Sequence, residues 1–174
     1  MRSYSRSMLK SKGFTLVEAL IAMSILIIGI ISSFILVTRA LYNTSIIQDR
    51  LTASFLAQEG LESVREIRDS NYINRINNGT GNWADGLQTG TYIISFENGL
   101  EKITDLSEAT LYFHDDTGLF DYNSSGTLTS FKRQIQIDKI SDYELRITVT
   151  VSWQTKGINY NLQAEDHLFD WLPL

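Results

Sequence analysis

The sequence has no cysteine among its 174 residues. That excludes disulfide staples, a thiol nucleophile and cysteine-ligated metal sites, so whatever domain the chain forms is held by packing and hydrogen bonding. Proline occurs once, at Pro173, and no helix before it carries a proline kink. Histidine occurs only at His114 and His167, so any imidazole chemistry has to be built around one of those two. Neither a G-x-S-x-G nucleophile elbow nor a phosphate-binding P-loop is present. Charge is missing in two places. No Asp or Glu precedes Glu18, and between Phe14 and Val37 Glu18 is the only charged residue.

What fills that second gap is FTLVEALIAMSILIIGIISSFILV, residues 14–37, a run of 24 positions. As a helix rising about 1.5 Å per residue it covers roughly 36 Å, more than the roughly 30 Å hydrocarbon core of a bilayer. Ahead of it stand Arg2, Arg6, Lys10 and Lys12 with no acid to balance them. Basic residues beside a membrane segment stay on the cytoplasmic side. The expected topology is therefore a single pass through the inner, cytoplasmic membrane, with the N-terminus inside and everything after Val37 outside.

The whole chain carries 15 Lys and Arg against 20 Asp and Glu, and residues 14–174 carry 11 against 20, a net −9. A domain so acidic is a poor match for nucleic-acid backbones, where cations must displace condensed counterions. Direct nucleic-acid binding by this chain is not expected. The length and a 43% hydrophobic composition suit one membrane segment and one small domain.

Glu18 is the residue that needs a reason. A carboxylate at the centre of a membrane helix costs about 2.5–3.5 kcal/mol on insertion scales, less near the interface, and by default it is functional and paired with a cation. The apolar run holds none. Cutting the chain after Gly13 would create one, because the Phe14 amide would become a protonated amine four residues, one helical turn, before Glu18. Either charge could then pair with its counterpart on a neighbouring helix.

KGFTLVEALIAMSILIIGI resembles the class III signal of type IV prepilins and of type II secretion pseudopilins. The resemblance rests on Lys12, the Gly13–Phe14 junction, Thr15, Leu16, Glu18 and the unbroken apolar helix behind them, with Lys10 and Lys12 as the basic residues of the leader. It implies cleavage after Gly13 by prepilin peptidase, a membrane aspartic protease, followed by N-methylation of Phe14. An ordinary secretory signal loses its apolar helix on cleavage; this one keeps it. The resemblance further implies that Glu18 neutralises a neighbour's N-terminal amine as subunits leave membrane lipid for a filament. The implied partners are prepilin peptidase, other pilin or pseudopilin subunits and an inner-membrane assembly platform. The chain is implied to be a structural subunit; with no nucleophile or phosphate-binding motif in the sequence, no enzymatic activity, cofactor or metal is expected. Pilus, secretion pseudopilus and DNA-uptake pseudopilus share this signal, and a signal-anchored surface-binding protein that never polymerises is the rival reading.

Within the run Ala22, Gly29 and Ser33 form a small-residue stripe that allows close helix contacts. Beyond it, Ile46, Ala53, Ala57, Leu61, Val64 and Ile67 recur at helical spacing, with Ala53, Ala57 and Gly60 small enough for close approach to a sheet. The spacing predicts one helix over 14–69, membrane-spanning through 37 and amphipathic over 38–69. NYINRINNGTGNWADGLQTGTY reads as a loop over 70–90, the αβ-loop of pilins. Strands follow at TYIISFE, ATLYFH, GLFDY and FKRQIQIDKI, then ELRITVTVSWQ, a TKGIN turn and a returning strand from Asn159. The expected fold is α+β and pilin-like, with the second half of a long N-terminal helix packed on an antiparallel sheet of four to six strands in a head spanning 70–174. The late VTVSW strand and a closing strand ending in Trp171 resemble minor subunits.

Three head features remain as candidate sites. His114 beside Asp115 and Asp116, and His167 beside Asp166 and Asp170, offer metal or acid–base chemistry. Asp115, Asp116, Asp121 and Asn123 cluster in a loop as calcium ligands do, though at no EF-hand spacing. Asn78-Gly79-Thr80 and Asn123-Ser124-Ser125 match the N-glycosylation tripeptide.

Overall fold

A computed structural model describes residues 13–95 and 98–171. The chain divides into two compact units, with the boundary between Thr44 and Ser45. Helix α1, Leu16–Asn78, contributes its first part to one unit and its second part to the other. Seven strands follow: β1 Gly90–Ser95, β2 Gly99–Lys102, β3 Thr110–His114, β4 Leu119–Asp121, β5 Thr127–Ser141, β6 Glu144–Thr155 and β7 Ile158–Phe169. The architecture is α+β, as expected.

In the first unit the helix has no cover. Its large apolar side chains stand exposed, Leu16, Leu26, Ile30 and Phe34 among them. Its hydroxyls need no outside partner, because Ser24, Ser32, Ser33 and Thr38 donate to the carbonyls four residues earlier at 2.8–2.9 Å. This back-bonding satisfies the polar groups inside the helix itself, which lets such residues sit in lipid at low cost.

The second unit is built around β5. Its fifteen residues pair along one edge with β3, through Thr127–Lys132, and with β1, through Ile135–Ile137, while β6 occupies the other edge. β2 and β4 extend the sheet beyond β1 and β3, and β7 pairs with β6 in unbroken register from Thr155↔Ile158 to Glu144↔Phe169. Every pairing is antiparallel. The two-residue turn between β6 and β7 places Lys156 at φ 51° and Gly157 at φ 82°, the left-handed pair that a type I′ hairpin requires.

Alternation sends Ile135 and Ile137 of β5 and Leu145, Ile147, Val149, Val151 and Trp153 of β6 to one face, where α1 buries them with Ala53, Leu56, Ala57, Val64 and Tyr72. The helix comes closest at Gly60. A Cβ placed there would lie 3.0 Å from Val149 Cγ1 and 3.5 Å from Arg133 Cδ. Of the expected stripe, Ala53, Ala57 and Val64 are fully buried and Leu61 and Ile67 pack at the margin; Leu56 and Tyr72 join them.

The same face holds a charge. Arg133 is 1% exposed and reaches from β5 into the helix–sheet seam. Nη1 donates to the Leu56 carbonyl at 3.3 Å and lies 3.2 Å from Glu59 Oε2, Nη2 donates to the Ile94 carbonyl at 3.2 Å, and Nε donates to Tyr122 Oη at 3.0 Å. Burial pulls the guanidinium pKa down, but Tyr122 and Glu59 outweigh it and the net direction is up, so the group stays charged. Losing one partner of such a group is strongly destabilising.

Both ends of the helix and the number of strands differ from the sequence expectation. The helix starts at Leu16 instead of Phe14, because Thr15 caps it. It runs to Asn78 instead of 69, because Tyr72 buries its ring in the core and the Asn71 amide donates to the carbonyls of Trp83 and Asp85 at 3.1 and 2.8 Å. Gly79, at φ 68°, then ends it in the left-handed conformation of a C′ glycine. The connecting segment 79–89 is itself part of the core, through Trp83 and Leu87. The sheet has a seventh strand, β2, whose GLEK sequence shows no apolar alternation.

Gly60→Val is expected to destabilise the head by about 1–3 kcal/mol through overpacking against Val149, which is 0% exposed and has nowhere to move. Denaturant unfolding of the detergent-solubilised chain measures it, and an unchanged midpoint would contradict the close approach.

Candidate functional site

The residues singled out at the N-terminus lie in the first unit. Lys10 and Lys12 fall outside the described residues. Gly13, Phe14 and Thr15 precede the helix, and Phe14 is 72% exposed. Thr15 is the N-cap: its Oγ1 accepts the Glu18 amide N–H at 3.2 Å, and its carbonyl accepts the Ala19 N–H at 3.1 Å as the first helical bond. Glu18 is thus the third helical residue. Thr15-Leu16-Val17-Glu18 has the T-x-x-E spacing of a capping box, and a carboxylate in a first turn faces the positive end of the helix dipole.

In the uncut chain Phe14 lies before the cap, outside the helix, while Glu18 lies in its first turn. Glu18 itself is exposed, open to a partner outside the chain.

Gly13 is informative for what does not surround it. A Cβ built there meets nothing within 4 Å. No contact in the described structure demands glycine at this position. The same holds at Gly29, inside the helix, where glycine weakens a helix by roughly 0.5–1 kcal/mol relative to alanine and an added Cβ would again meet open space.

Residues 8–34 match the family model of the prokaryotic N-terminal methylation motif. Comparison with curated proteins and with solved structures finds no match for the chain. The methylation motif covers Gly13, Phe14, Thr15 and Glu18 and is consistent with the class III signal peptide of a type IV prepilin. Together with the long helix and the antiparallel sheet it supports a type IV pilin-like prepilin, made as a precursor and anchored by its N-terminal helix. α1 is the one helix among the described residues long and apolar enough to cross a membrane.

The head of this pilin-like chain treats the other candidates differently. His167 does not join Asp166 and Asp170, because neighbours along a strand point to opposite faces. Asp166 pairs with Arg65 of α1 at 2.7 Å. Asp170 takes Arg75 at 3.1 Å and accepts a hydrogen bond from Tyr72 Oη at 3.2 Å. The same single Tyr72 proton is shared with the nearer Phe169 carbonyl at 2.8 Å, and the hydroxyl oxygen accepts the Trp171 N–H at 3.0 Å, which ties the end of β7 to the helix. On the outer face, His167 Nδ1 lies 2.6 Å from Glu144 Oε1 and Nε2 lies 3.4 Å from Glu165 Oε1. Sequence reasoning missed both glutamates; the i, i+2 spacing of Glu165 and His167 was a signal, the cross-strand Glu144 was not.

Asp116, Asp121, Asn123 and His114 line a cleft of about 750 Å³ between the β3–β4 hairpin and the helix residues Glu59, Ser63 and Glu66. Asp115 is not among the lining residues. His114 Nε2 is buried and has no hydrogen-bond partner among the described residues. Among the described residues no three His, Asp or Glu side chains gather closely enough to hold a metal ion. Asn78 and Asn123 are both exposed, and Asn123 Oδ1 accepts the Ser125 N–H at 3.0 Å.

The glutamate pair raises the His167 pKa, chiefly through the hydrogen bond to Glu144. A group whose pKa is raised on folding stabilises the protein below its unfolded value, about 6.5 for His. That contribution fades as pH rises through the folded pKa. Melting curves of wild type and His167→Gln are therefore expected to separate most below the unfolded value of about 6.5 and to converge as pH rises through the raised folded-state pKa. A gap that widens with pH would contradict the pairing.

Proposed function

We propose that the chain is a minor subunit of a type IV pilus-like filament. It is inserted in the cytoplasmic membrane with its N-terminus inside and its head outside. Prepilin peptidase removes the leader, residues 1–13, and Phe14 is then N-methylated. The subunit passes from lipid into the filament by way of an assembly platform, held to other subunits by its apolar helix over 14–37. The observation that carries this reading is the methylation motif at 8–34, which runs from Leu16 onward along a helix whose large apolar side chains are exposed.

Two further observations support it. Among the described residues nothing crowds Gly13, so recognition by a processing enzyme is a reason for a glycine there that packing does not compete with. Glu18 is exposed in a segment with no other charge. The amine of a neighbour's Phe14, about 4 Å away at an effective dielectric near 20, would contribute about 4 kcal/mol, enough to offset the cost of carrying a carboxylate through lipid. The looser resemblance of the VTVSW strand and the closing segment to Trp171 to minor subunits favours a minor role over that of a main shaft subunit, although the last strand itself stops at Phe169.

Two substitutions separate the steps. Gly13→Val is expected to leave the leader attached. Glu18→Gln, which removes the charge and keeps a capping-competent side chain, is expected to be cut normally and to enter sheared filaments at least about tenfold less than wild type, the equivalent of about 1.4 kcal/mol. Wild-type incorporation of the glutamine variant would sink the pairing.

A further inference from the structure

We infer that Thr15 is a positioning residue for processing, acting as the cap that fixes the start of the helix downstream of the bond to be cut. This rests on the reading that prepilin peptidase cuts after Gly13. In that step water adds across the Gly13–Phe14 amide, Gly13 leaves as a carboxylate and Phe14 as an ammonium. A protease has to reach both sides of the amide it hydrolyses. A helix denies that access by drawing carbonyl and N–H into its hydrogen-bond ladder.

In this structure the ladder begins just past the junction. Thr15 Oγ1 holds the Glu18 N–H at 3.2 Å, and the Thr15 carbonyl takes the first helical bond from Ala19. Gly13 and Phe14 are left outside the helix. An N-cap residue has non-helical backbone angles by definition, so the cap sets a boundary as well as adding stability. Without it the boundary is free to move. The nearest capping-competent residue upstream is Gly13. A helix capped there would take Phe14 as its first residue and draw the scissile amide into its entrance. A helix that frays instead loses the fixed spacing from the junction to Glu18.

The cap makes a prediction that recognition of the threonine shape does not. Asn caps as well as Thr but has a different outline, and Val has nearly the outline of Thr but cannot cap. If the cap sets the fraction of chains in the cleavable conformation, that fraction scales the apparent affinity for the peptidase and leaves the chemical step alone. The effect belongs in KM.

The test uses the full chain in membranes with active prepilin peptidase, following the mass of the product over time at several substrate densities. Thr15→Ser and Thr15→Asn are expected to stay within about twofold of wild type. Thr15→Ala and Thr15→Val are expected to raise KM by about three- to tenfold at unchanged kcat, with faster hydrogen exchange at the Glu18 amide. The inference is overturned if Thr15→Asn is as slow as Thr15→Val, if Thr15→Val is cut like wild type, or if the loss appears in kcat. Wild type remaining uncut at Gly13 overturns the processing reading, and this inference with it.

Discussion

The constraint on which the rest depends is that a helix crossing lipid must be apolar on every side and satisfy its own backbone. The first part of α1 meets it. Its side chains are large and uncovered, its hydroxyls fold back onto carbonyls one turn earlier, and its one carboxylate sits in the first turn, near the dipole's positive end. A helix built this way has no partner within its own unit. In lipid it needs none; out of lipid it has to be covered by other helices. On the proposed function, a subunit first anchored and then polymerised would reconcile the two situations with one set of side chains; the methylation motif reaches to residue 34 of that segment.

The second part of the same helix obeys a different rule. It faces water on one side and a sheet on the other, so its apolar residues narrow to a stripe. Ala53, Ala57 and Gly60 bring it near enough to β6 for Val149 to leave no room for a side chain at residue 60. Arg133 fills the seam beside that contact, taking a helix carbonyl, a β1 carbonyl, Glu59 and the Tyr122 hydroxyl. The head is clasped again at the end of β7, where Tyr72, Arg75 and Asp170 tie the closing strand to the last turns of the helix. Packing and charge thus hold the head without disulfides.

The parts legible in the sequence are those written in local pattern. A long apolar run, a strict alternation in β6 and a Lys-Gly turn each carry their own signal, and each is found where the pattern put it. The N-terminal residues were legible through motif alone. What was not legible depends on distant partners. Residues 70–78 look like loop by composition, yet Tyr72 and Asn71 hold them helical through contacts with residues far along the chain. Trp83 and Leu87 lie in a polar stretch and still reach the core. Arg133 shares the odd-numbered row of Phe131, Ile135 and Ile137, so a buried charge could have been read from parity; its four partners could not. His167 found Glu144 across the sheet, where sequence proximity had pointed to Asp166 and Asp170.

The central claim is that the leader is removed while the apolar helix is kept. The most direct test is the intact mass and N-terminal sequence of the wild-type chain recovered from membranes with and without an active prepilin peptidase. The account expects a product that begins at methylated Phe14 only when the peptidase is active. A chain that still begins at Met1 beside an active peptidase, or one cut behind the apolar run, would contradict it.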